Sequence, residues 1–348
     1  VGPNGSHQTI QGALSSLVND WVNDVRIEAG TYQENVVIEL PSVSLSSGDV
    51  VISGGWNATF TAQTADPSLT VIDGDSAGSC LRVAPTASDI IEIFISNLTL
   101  TDGQAEAGGG LYFNTTGDVR LELTDVAVTN NRADATATPS AGGGLYASIS
   151  GSGNRLAVYD SSFDGNVAGP LAGAIQARGG GAFVDITGVS PADFQGVTFT
   201  GNVVDAGGSQ QGAGLMVIAE PGSVVWVYDC VFVANQAQAT TGGPSVSGVG
   251  VFVYGADTAW VRVRRLTLLD NISLTGFGEQ FVYWGNGTSS FRAGDILAAG
   301  GDYGVRLDGH QNAEVSMTNL TVTDHTATGL FVWQFDPTSA MSLHNSLL

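Results

Sequence analysis

Runs in which apolar and polar side chains alternate recur along the chain, and this pattern predicts β-strands. Each run places two apolar residues on one face: Val126 and Val128, Val197 and Phe199, Cys230 and Phe232, Leu266 and Leu268, and Leu320 and Val322. The intervening positions carry small or β-branched residues such as Ala127 and Thr198, which suit the outer face of a sheet. A period of two is that of a strand, and no run at the helical period occurs after residue 25. We therefore predict an all-β fold.

Two short phrases alternate along the chain at a nearly constant spacing. One is a glycine cluster that leads into a strand, beginning at Gly108, Gly142, Gly179, Gly212 and Gly248. The other is a strand that ends in asparagine, at Asn131, Asn166, Asn202, Asn235 and Asn271. The gaps between these asparagines are 35, 36, 33 and 36 residues. Units of one size that bury their apolar faces by stacking form a solenoid, and with weaker copies at both ends we count roughly nine or ten coils.

The repeated asparagine predicts a structural ladder. Each of Asn131, Asn166, Asn202, Asn235 and Asn271 follows a strand at a point where the chain must turn. Asparagine tolerates the left-handed conformation, and its amide can bond the backbone of neighbouring coils. We expect the five side chains to form one column, and the inward rings of Phe163, Phe199 and Phe232 to stack in the core.

The N-terminal segment differs from the repeats. Residues 7–20 predict a short amphipathic helix with Ile10, Leu14 and Leu17 on one face and Val18 beside them. The strand-like segment VRIEAGTYQENVVIE follows, and then SGGWNATF. This order resembles the opening of pectin-lyase-like right-handed parallel β-helices, in which a helix covers the first coil.

The alternating phrases resemble the polymorphic outer-membrane protein repeats, whose hallmarks are a Gly-Gly-Ala-Ile-like strand and Phe-x-x-Asn. The resemblance covers residues 108–271 and is fullest where Phe163, Phe199 and Phe232 precede Asn166, Asn202 and Asn235 by three residues. Together the two resemblances imply a single-stranded right-handed parallel β-helix with an N-terminal capping helix. We expect one domain over 1–348, with cap and first coil in 1–40, regular coils in 96–348 and a natural protein that continues past 348. The two resemblances also imply an extracellular or cell-surface protein of bacterial origin.

The charge composition of the chain indicates which classes of partner are not expected. The chain has 33 acidic residues against 11 arginines and no lysine, with a net charge of −22. Nucleic acid and anionic membranes both need basic patches, so neither is an expected partner. We predict no cofactor and no metal site, although this charge could recruit calcium. Cys80 and Cys230 lie about five coils apart, roughly 20 Å, which is beyond the reach of a disulfide.

Function is expected on the outward positions of the glycine phrase. One file of these positions is almost wholly apolar: Tyr112, Tyr146, Phe183, Met216, Phe252 and Phe331, with Trp333 two residues further on. A loop, another domain or a neighbouring chain could cover such a file. Alternatively, it stacks on sugar rings or anchors a protein partner, including a second copy of the chain.

One segment could carry chemistry. In residues 300–312 the register places Val305 and Leu307 inward and Arg306 and Asp308 outward, near Phe331 and Trp333, while Asp302 and His310 fall at the strand ends. A carboxylate, an imidazole and an arginine could serve as base, acid and clamp in a polysaccharide-cleaving groove.

We therefore expect an exported, non-catalytic surface or structural protein that contacts a glycan or protein partner through the outward aromatic file. The alternative is a polysaccharide lyase or glycoside hydrolase that acts on an acidic polysaccharide. A second alternative is an ice-binding protein, suggested by outward Thr-x-Thr pairs such as Thr198 and Thr200. Intervening coils break that threonine array with Ala127, Asp164 and Val231.

Overall fold

The computed structural model of this chain describes residues 1–17, 22–38, 48–85, 91–135, 139–169, 176–238, 246–274, 278–334 and 336–347. They form a helix α1 at Ile10–Leu14, a 3₁₀ turn at Pro67–Leu69 and many short strands. The strands are, in chain order, β1 Val22–Glu28, β2 Gly30–Gln33, β3 Val36–Ile38, β4 Gly48–Trp56, β5 Thr70–Asp73, β6 Leu81–Val83, β7 Ile91–Thr101, β8 Gln104–Ala105, β9 Leu111–Thr115, β10 Val119–Thr129, β11 Arg132–Ala133, β12 Ser140–Ala141, β13 Leu145–Ser150, β14 Arg155–Tyr159, β15 Ser162–Asp164, β16 Val167–Ala168, β17 Gln176–Arg178, β18 Ala182–Thr187, β19 Pro191–Gln195, β20 Thr198–Thr200, β21 Val203–Asp205, β22 Ser209–Gln211, β23 Leu215–Ala219, β24 Val224–Tyr228, β25 Val231–Val233, β26 Gln236–Gln238, β27 Val246–Ser247, β28 Val251–Gly255, β29 Trp260–Leu269, β30 Ile272–Ser273, β31 Glu279–Gly285, β32 Ser290–Ala299, β33 Tyr303–Gly309, β34 Glu314–Thr323, β35 Thr328–Gln334 and β36 Ala340–His344.

These strands form four sheets in which the named strands pair in parallel. Sheet 1 has 16 strands, and its main layers are β1, β4, β7, β10, β14, β19, β24, β29, β32, β34 and β36. Sheet 2 has ten strands in the order β3, β6, β9, β13, β18, β23, β28, β31, β33 and β35. Sheet 3 joins β8, β11, β16, β21, β26 and β30, and sheet 4 joins β12, β17, β22 and β27.

Each regular repeat visits the four sheets in the same order. From β14 and β15 in sheet 1 the chain passes through β16 in sheet 3, β17 in sheet 4 and β18 in sheet 2, and returns to sheet 1 at β19. Residues one repeat apart are therefore direct neighbours, for example Phe163 and Phe199. The all-β fold expected from the alternating pattern is confirmed, the strands pair in parallel as the resemblances imply, and the architecture is consistent with a β-solenoid.

The inward faces of sheets 1 and 2 enclose the main core. Phe163, Phe199 and Phe232 are fully buried, and their rings stack at centroid separations of 4.9 and 4.7 Å. Sheets 3 and 4 share a second, smaller cluster built mostly from alanine and valine, which includes Ala168, Ala177 and Val204. Small side chains suit this cluster because they allow two short ladders to approach closely.

The five repeated asparagines form one continuous hydrogen-bonded column. Each side-chain Nδ2 donates to the Oδ1 of the next asparagine, from Asn131 through to Asn271, at 2.7 to 3.1 Å. The same Oδ1 also accepts from the backbone N–H of the preceding asparagine, and each Nδ2 donates a second bond to a strand carbonyl. All five side chains are buried. The column therefore satisfies its own polar groups inside the solenoid.

The left-handed backbone lies one residue before each ladder asparagine, which corrects the expectation that the asparagine itself takes it. Positive φ angles occur at Asn130, Gly165, Gly201, Ala234 and Asp270. The turn is thus made by the preceding residue, and the asparagine directs its amide inward. The preceding residue only has to adopt the left-handed backbone, whereas the asparagine has to make the ladder hydrogen bonds. The residue before the asparagine therefore varies, while the asparagine recurs.

The ladder ends in two residues that lie outside the asparagine repeat. At its C-terminal end, Asn271 donates to Gln280 Oε1 at 2.9 Å, and Gln280 Nε2 donates to the carbonyls of Ala299 and Gly300. At the other end, Asn131 Oδ1 accepts from the Cys80 thiol and from the Gly103 N–H. Cys80 and Cys230 are both buried and unpaired, and burial raises the pKa of each thiol to about 12.

The glycine clusters meet two requirements, a positive φ angle at the first glycine and a close approach between neighbouring coils at the third. The first glycine of each cluster has positive φ, for example Gly179 at 59°. The third lies against the next coil: a Cβ on Gly181 would be 2.5 Å from the carbonyl oxygen of Gly214 and 2.9 Å from Phe199. Any larger residue there would push consecutive coils apart.

Helix α1 begins after Thr9, whose hydroxyl accepts from the Gly12 N–H at 3.1 Å. Ile10 and Leu14 are buried, as the sequence predicts, and Leu17 packs against the core; Val18 lies outside the described residues. The Gln11 amide bonds both the N–H and the carbonyl of Val37 on β3, the first strand of sheet 2. The helix therefore supplies hydrogen-bonding groups to a sheet edge.

We expect Phe199→Ala to lower the free energy of unfolding by about 3–5 kcal/mol, because it leaves a cavity between two stacked rings. Chemical denaturation of the purified variant measures this change. A variant as stable as the parent would show that these rings do not form the interior.

We expect Asn202→Ala to cost about 2–5 kcal/mol, because it leaves the Asn166 donors and the Phe163 carbonyl without partners in a buried column. The matched control is Asn114→Ala, which removes an exposed amide. Equal stabilities of the two variants in denaturant titration would contradict a stabilising role for the ladder.

Candidate functional site

The predicted aromatic file lies on the outer face of sheet 2, in one column of directly paired residues. The column runs through Arg82, Tyr112, Tyr146, Phe183, Met216, Phe252, Val282, Arg306 and Phe331. A parallel column two residues on contains Asp185, Trp284, Asp308 and Trp333. An arginine therefore flanks the aromatic file near each end.

The centre of the file is buried, which corrects the expectation of a continuous outward aromatic surface. Phe183 is 5% exposed and Phe252 is 3% exposed, and they form one apolar cluster with Met216, Val282 and Ala141. Ala141 lies on β12 in sheet 4, so the part of the repeat that forms sheet 4 packs on the aromatic file of sheet 2. In this state, the rings of Phe183 and Phe252 cannot present a face to a partner.

The N-terminal end of the file opens into a cleft of about 630 Å³. It is lined by Ser79, Arg82, Ala105, Glu106, Ala107, Tyr112, Pro139, Ala141, Tyr146, Arg178, Phe183 and Asp185. The Tyr112 and Tyr146 rings are half-buried and stack at 5.2 Å with an interplanar angle of 12°. The cleft volume falls in the range of ordinary small-molecule sites.

Two arginines and two carboxylates surround the tyrosines. The Arg82 guanidinium lies 4.3 Å from the centre of the Tyr112 ring. Arg178 donates to Gln176 at 3.0 Å. Burial and the Glu220 charge raise the pKa of Asp185, against a smaller lowering by Arg178. With Glu106 at the rim, formal charges in the cleft balance, and donors and acceptors flank the two tyrosines.

The C-terminal end of the file is exposed. Phe331, Trp333 and Trp284 are 42%, 51% and 39% exposed. Arg306 lies beside this group, 5.8 Å from the Trp333 ring centre. These aromatic side chains lie on a surface, whereas the two tyrosines lie within a cleft.

The candidate catalytic pair forms a closed ion pair. Val305 and Leu307 point into the core, as predicted, while Arg306 donates to both carboxylate oxygens of Asp308 at 3.1 and 2.9 Å. Arg306 also bonds Glu279 at 3.3 Å. Asp308 is 1% exposed, which corrects the expectation that it projects outward into a groove. Both oxygens of the Asp308 carboxylate accept hydrogen bonds from Arg306.

The two other candidate catalytic residues have different partners. Asp302 precedes β33 and accepts from the Thr326 hydroxyl at 3.1 Å. His310 follows β33, and its ring stacks on Trp284 at 5.5 Å. The structure thus joins Arg306 to Asp308 and to Glu279, while Asp302 and His310 contact residues of neighbouring layers.

Within the described ranges, no three His, Cys, Asp or Glu side chains are grouped in a way that could hold a metal ion. Over those ranges too, no helix has the length and apolarity to cross a membrane. Comparison with protein-family models, with curated proteins and with solved structures gave no significant match.

Sequence reasoning missed Glu279 and the cleft arginines. Glu279 opens β31 in a less regular stretch, and its role depends on Arg306 in the next layer. Arg82 and Arg178 lie in different sheets and reach one cleft only because sheet 4 packs beside sheet 2. The one available signal was Arg82, which falls one repeat before Tyr112 in the aromatic column.

Burial raises the pKa of Glu279 above its ordinary value of 4.5, outweighing Arg306. The folded state therefore holds this proton to a higher pH than the unfolded chain, so the stability contribution falls as pH rises above about 4.5. We expect Glu279→Gln to remove this component, so that its stability relative to the parent increases with pH. Denaturation between pH 4 and pH 8 measures it, with exposed Glu314→Gln as control. Parallel curves would contradict the assignment.

Proposed function

We propose that this chain is an exported, non-catalytic surface protein that binds a glycan in the cleft of Tyr112 and Tyr146. The scaffold is a right-handed parallel β-helix of roughly nine or ten coils. Right-handed connection is the strong preference for parallel strands joined by a crossover, which supports this hand. The parallel rod and the repeat resemblance both support an extracellular or cell-surface location.

The proposed cap is helix α1. The Glu34 carboxylate accepts from the backbone N–H groups of Ile10 and Gln11 at 2.9 and 3.0 Å, which fixes the helix start. Gln11 in turn bonds the backbone of Val37 on the first strand of sheet 2. A helix held in this way covers an edge that would otherwise expose unpaired backbone groups, which supports a capping role.

The stacked tyrosines carry the proposal. Their rings lie one layer apart and nearly parallel, beside a cleft of about 630 Å³. The two rings cover each other on one side, Arg82 lies over the other face of Tyr112, and Phe183 stacks on the other face of Tyr146. The rings therefore offer a sugar their edges and hydroxyl groups, which provide apolar contact and hydrogen bonds.

The charged rim suits sugar hydroxyl groups. Arg82 and Arg178 are donors, while Glu106 and Asp185 are acceptors, so both roles of a hydroxyl are matched. Because the formal charges balance, the cleft makes no demand for a highly charged ligand. The closed Arg306–Asp308 pair gives the lyase or hydrolase alternative less support than the cleft gives to binding.

We expect Tyr112→Ala and Tyr146→Ala each to weaken glycan binding at least about tenfold, because each removes a ring edge and a hydroxyl group that line the cleft. A panel of neutral and acidic polysaccharides identifies the ligand, and titration calorimetry on the best one measures the change. Absorbance of unsaturated products on the same panel tests for lyase activity.

The matched control is Phe331→Ala with Trp333→Ala, which removes two exposed aromatic rings at the other end of the same face. Binding that survives the tyrosine changes but is lost in this control would contradict the cleft and move the site to the C-terminal end. Turnover lost with Arg306→Ala would favour the enzyme.

A further inference from the structure

On the outer face of sheet 1, the middle column of side chains changes from acidic and apolar to basic from the N-terminal to the C-terminal layers. This column, in successive layers from β7 to β32, is Phe94, Glu122, Ala157, Asp193, Trp226, Arg262 and Arg292. Acidic and apolar positions lie in the earlier layers, and basic positions lie in the later ones. Four of the eleven arginines of this acidic chain fall in β29 and β32, where Arg264 pairs with Asp295 and Arg265 with Asp229, while Arg262 and Arg292 form no ion pair with a described residue.

Three charges of this face are not neutralised by an ion pair with any described residue. In the described part of the chain, Glu122, Arg262 and Arg292 form no ion pair. Arg262 instead lies 4.4 Å above the Trp260 ring, and Trp260 meets Trp226 edge to face at 6.2 Å. By contrast, Asp193 at the middle of the column is already neutralised, because it pairs with Arg155 and accepts from the Tyr159 hydroxyl.

The charges of this column would match those of the same column on a second copy of the chain that runs in the opposite direction. Glu122 on β10 and Arg262 on β29 lie two layers before and two layers after β19, the strand of Asp193. Phe94 and Arg292 lie three layers before and three layers after it. A twofold axis through the β19 layer would therefore place Glu122 opposite a second Arg262, and Phe94 opposite a second Arg292, each pair occurring twice.

We propose that this face of sheet 1 docks on the same face of a second copy of the chain, antiparallel and with twofold symmetry. Such an isologous contact uses one patch on both subunits, as most homodimers do. Trp226 would then stack on the Arg155–Tyr159 pair, in which Arg155 donates to the Tyr159 hydroxyl at 2.6 Å. The occupant is a second copy because both halves of the charge pattern are present on one face.

The size of the face sets the expected strength. Layers about 4.8 Å apart and three outward positions per strand give a patch about 30 Å long and about 15–20 Å wide. Each partner would therefore bury about 500 Å², and the total of about 1,000 Å² lies at the low end for specific complexes. We expect a weak, reversible dimer that salt dissociates, because exposed charges are screened.

Sedimentation of the full chain across concentration tests the proposal. We expect the mass to rise from 35.6 kDa toward twice that value at low salt and to fall back at high salt. Glu122→Arg and Arg262→Glu should each weaken association at least about tenfold, because each places like charges in contact twice. Asp164→Arg, an exposed acid outside this column, is the control and should leave association unchanged.

Mixing the two variants gives the decisive result. Glu122→Arg alone and Arg262→Glu alone should stay monomeric, whereas their mixture should form a heterodimer, because both contacts then pair arginine with glutamate. The doubly substituted chain should also dimerise. A monomeric parent, or a mixture no more associated than its components, overturns the proposal. So does retention on a sulfated polysaccharide matrix that Arg262→Glu abolishes in a monomeric protein, which would assign the face to an anionic polymer.

Discussion

The buried amide ladder is the interaction on which this fold depends. A solenoid coil must turn sharply several times, and each turn leaves backbone groups that the sheets do not pair. The column from Asn131 to Asn271 pairs such groups with the next coil and satisfies its own amides. Because each asparagine both donates to and accepts from its neighbours, removing one disturbs two interfaces. Cys80 and Gln280 end the column, so no amide at either end is left buried without a partner.

The excursions through sheets 3 and 4 decide which surfaces remain available. They fold beside sheet 2 and pack on the middle of the aromatic file, where Phe183 and Phe252 become a second core. Near Tyr112 and Tyr146 the described residues leave a cleft. On the outer face of sheet 1, Phe94, Glu122, Trp226 and Arg262 stay partly exposed. The proposed glycan site and the proposed dimer face therefore lie on different sheets and can be tested independently.

Much of the fold could be predicted from the sequence because its period is local. Alternation at period two identifies strands, and a repeat of about 35 residues requires that equivalent residues stack. The inward rings of Phe163, Phe199 and Phe232 and the stacking of the five asparagines follow from that register alone. The site was predictable only as a column: Tyr112 and Tyr146 were identified, but so were Phe183 and Phe252, which repeat at the same spacing.

The tertiary structure decided what the column does, because exposure depends on groups far away in sequence. Ala141 in sheet 4 shares the buried cluster of Phe183, and Arg178 enters the tyrosine cleft from another sheet. The Asp308 carboxylate is closed by Arg306 and lies beside Glu279, a residue without a repeat signature. The sequence by itself determined which residues share a face, since periodicity is a property of neighbouring positions. Only packing determined which of those faces meets solvent.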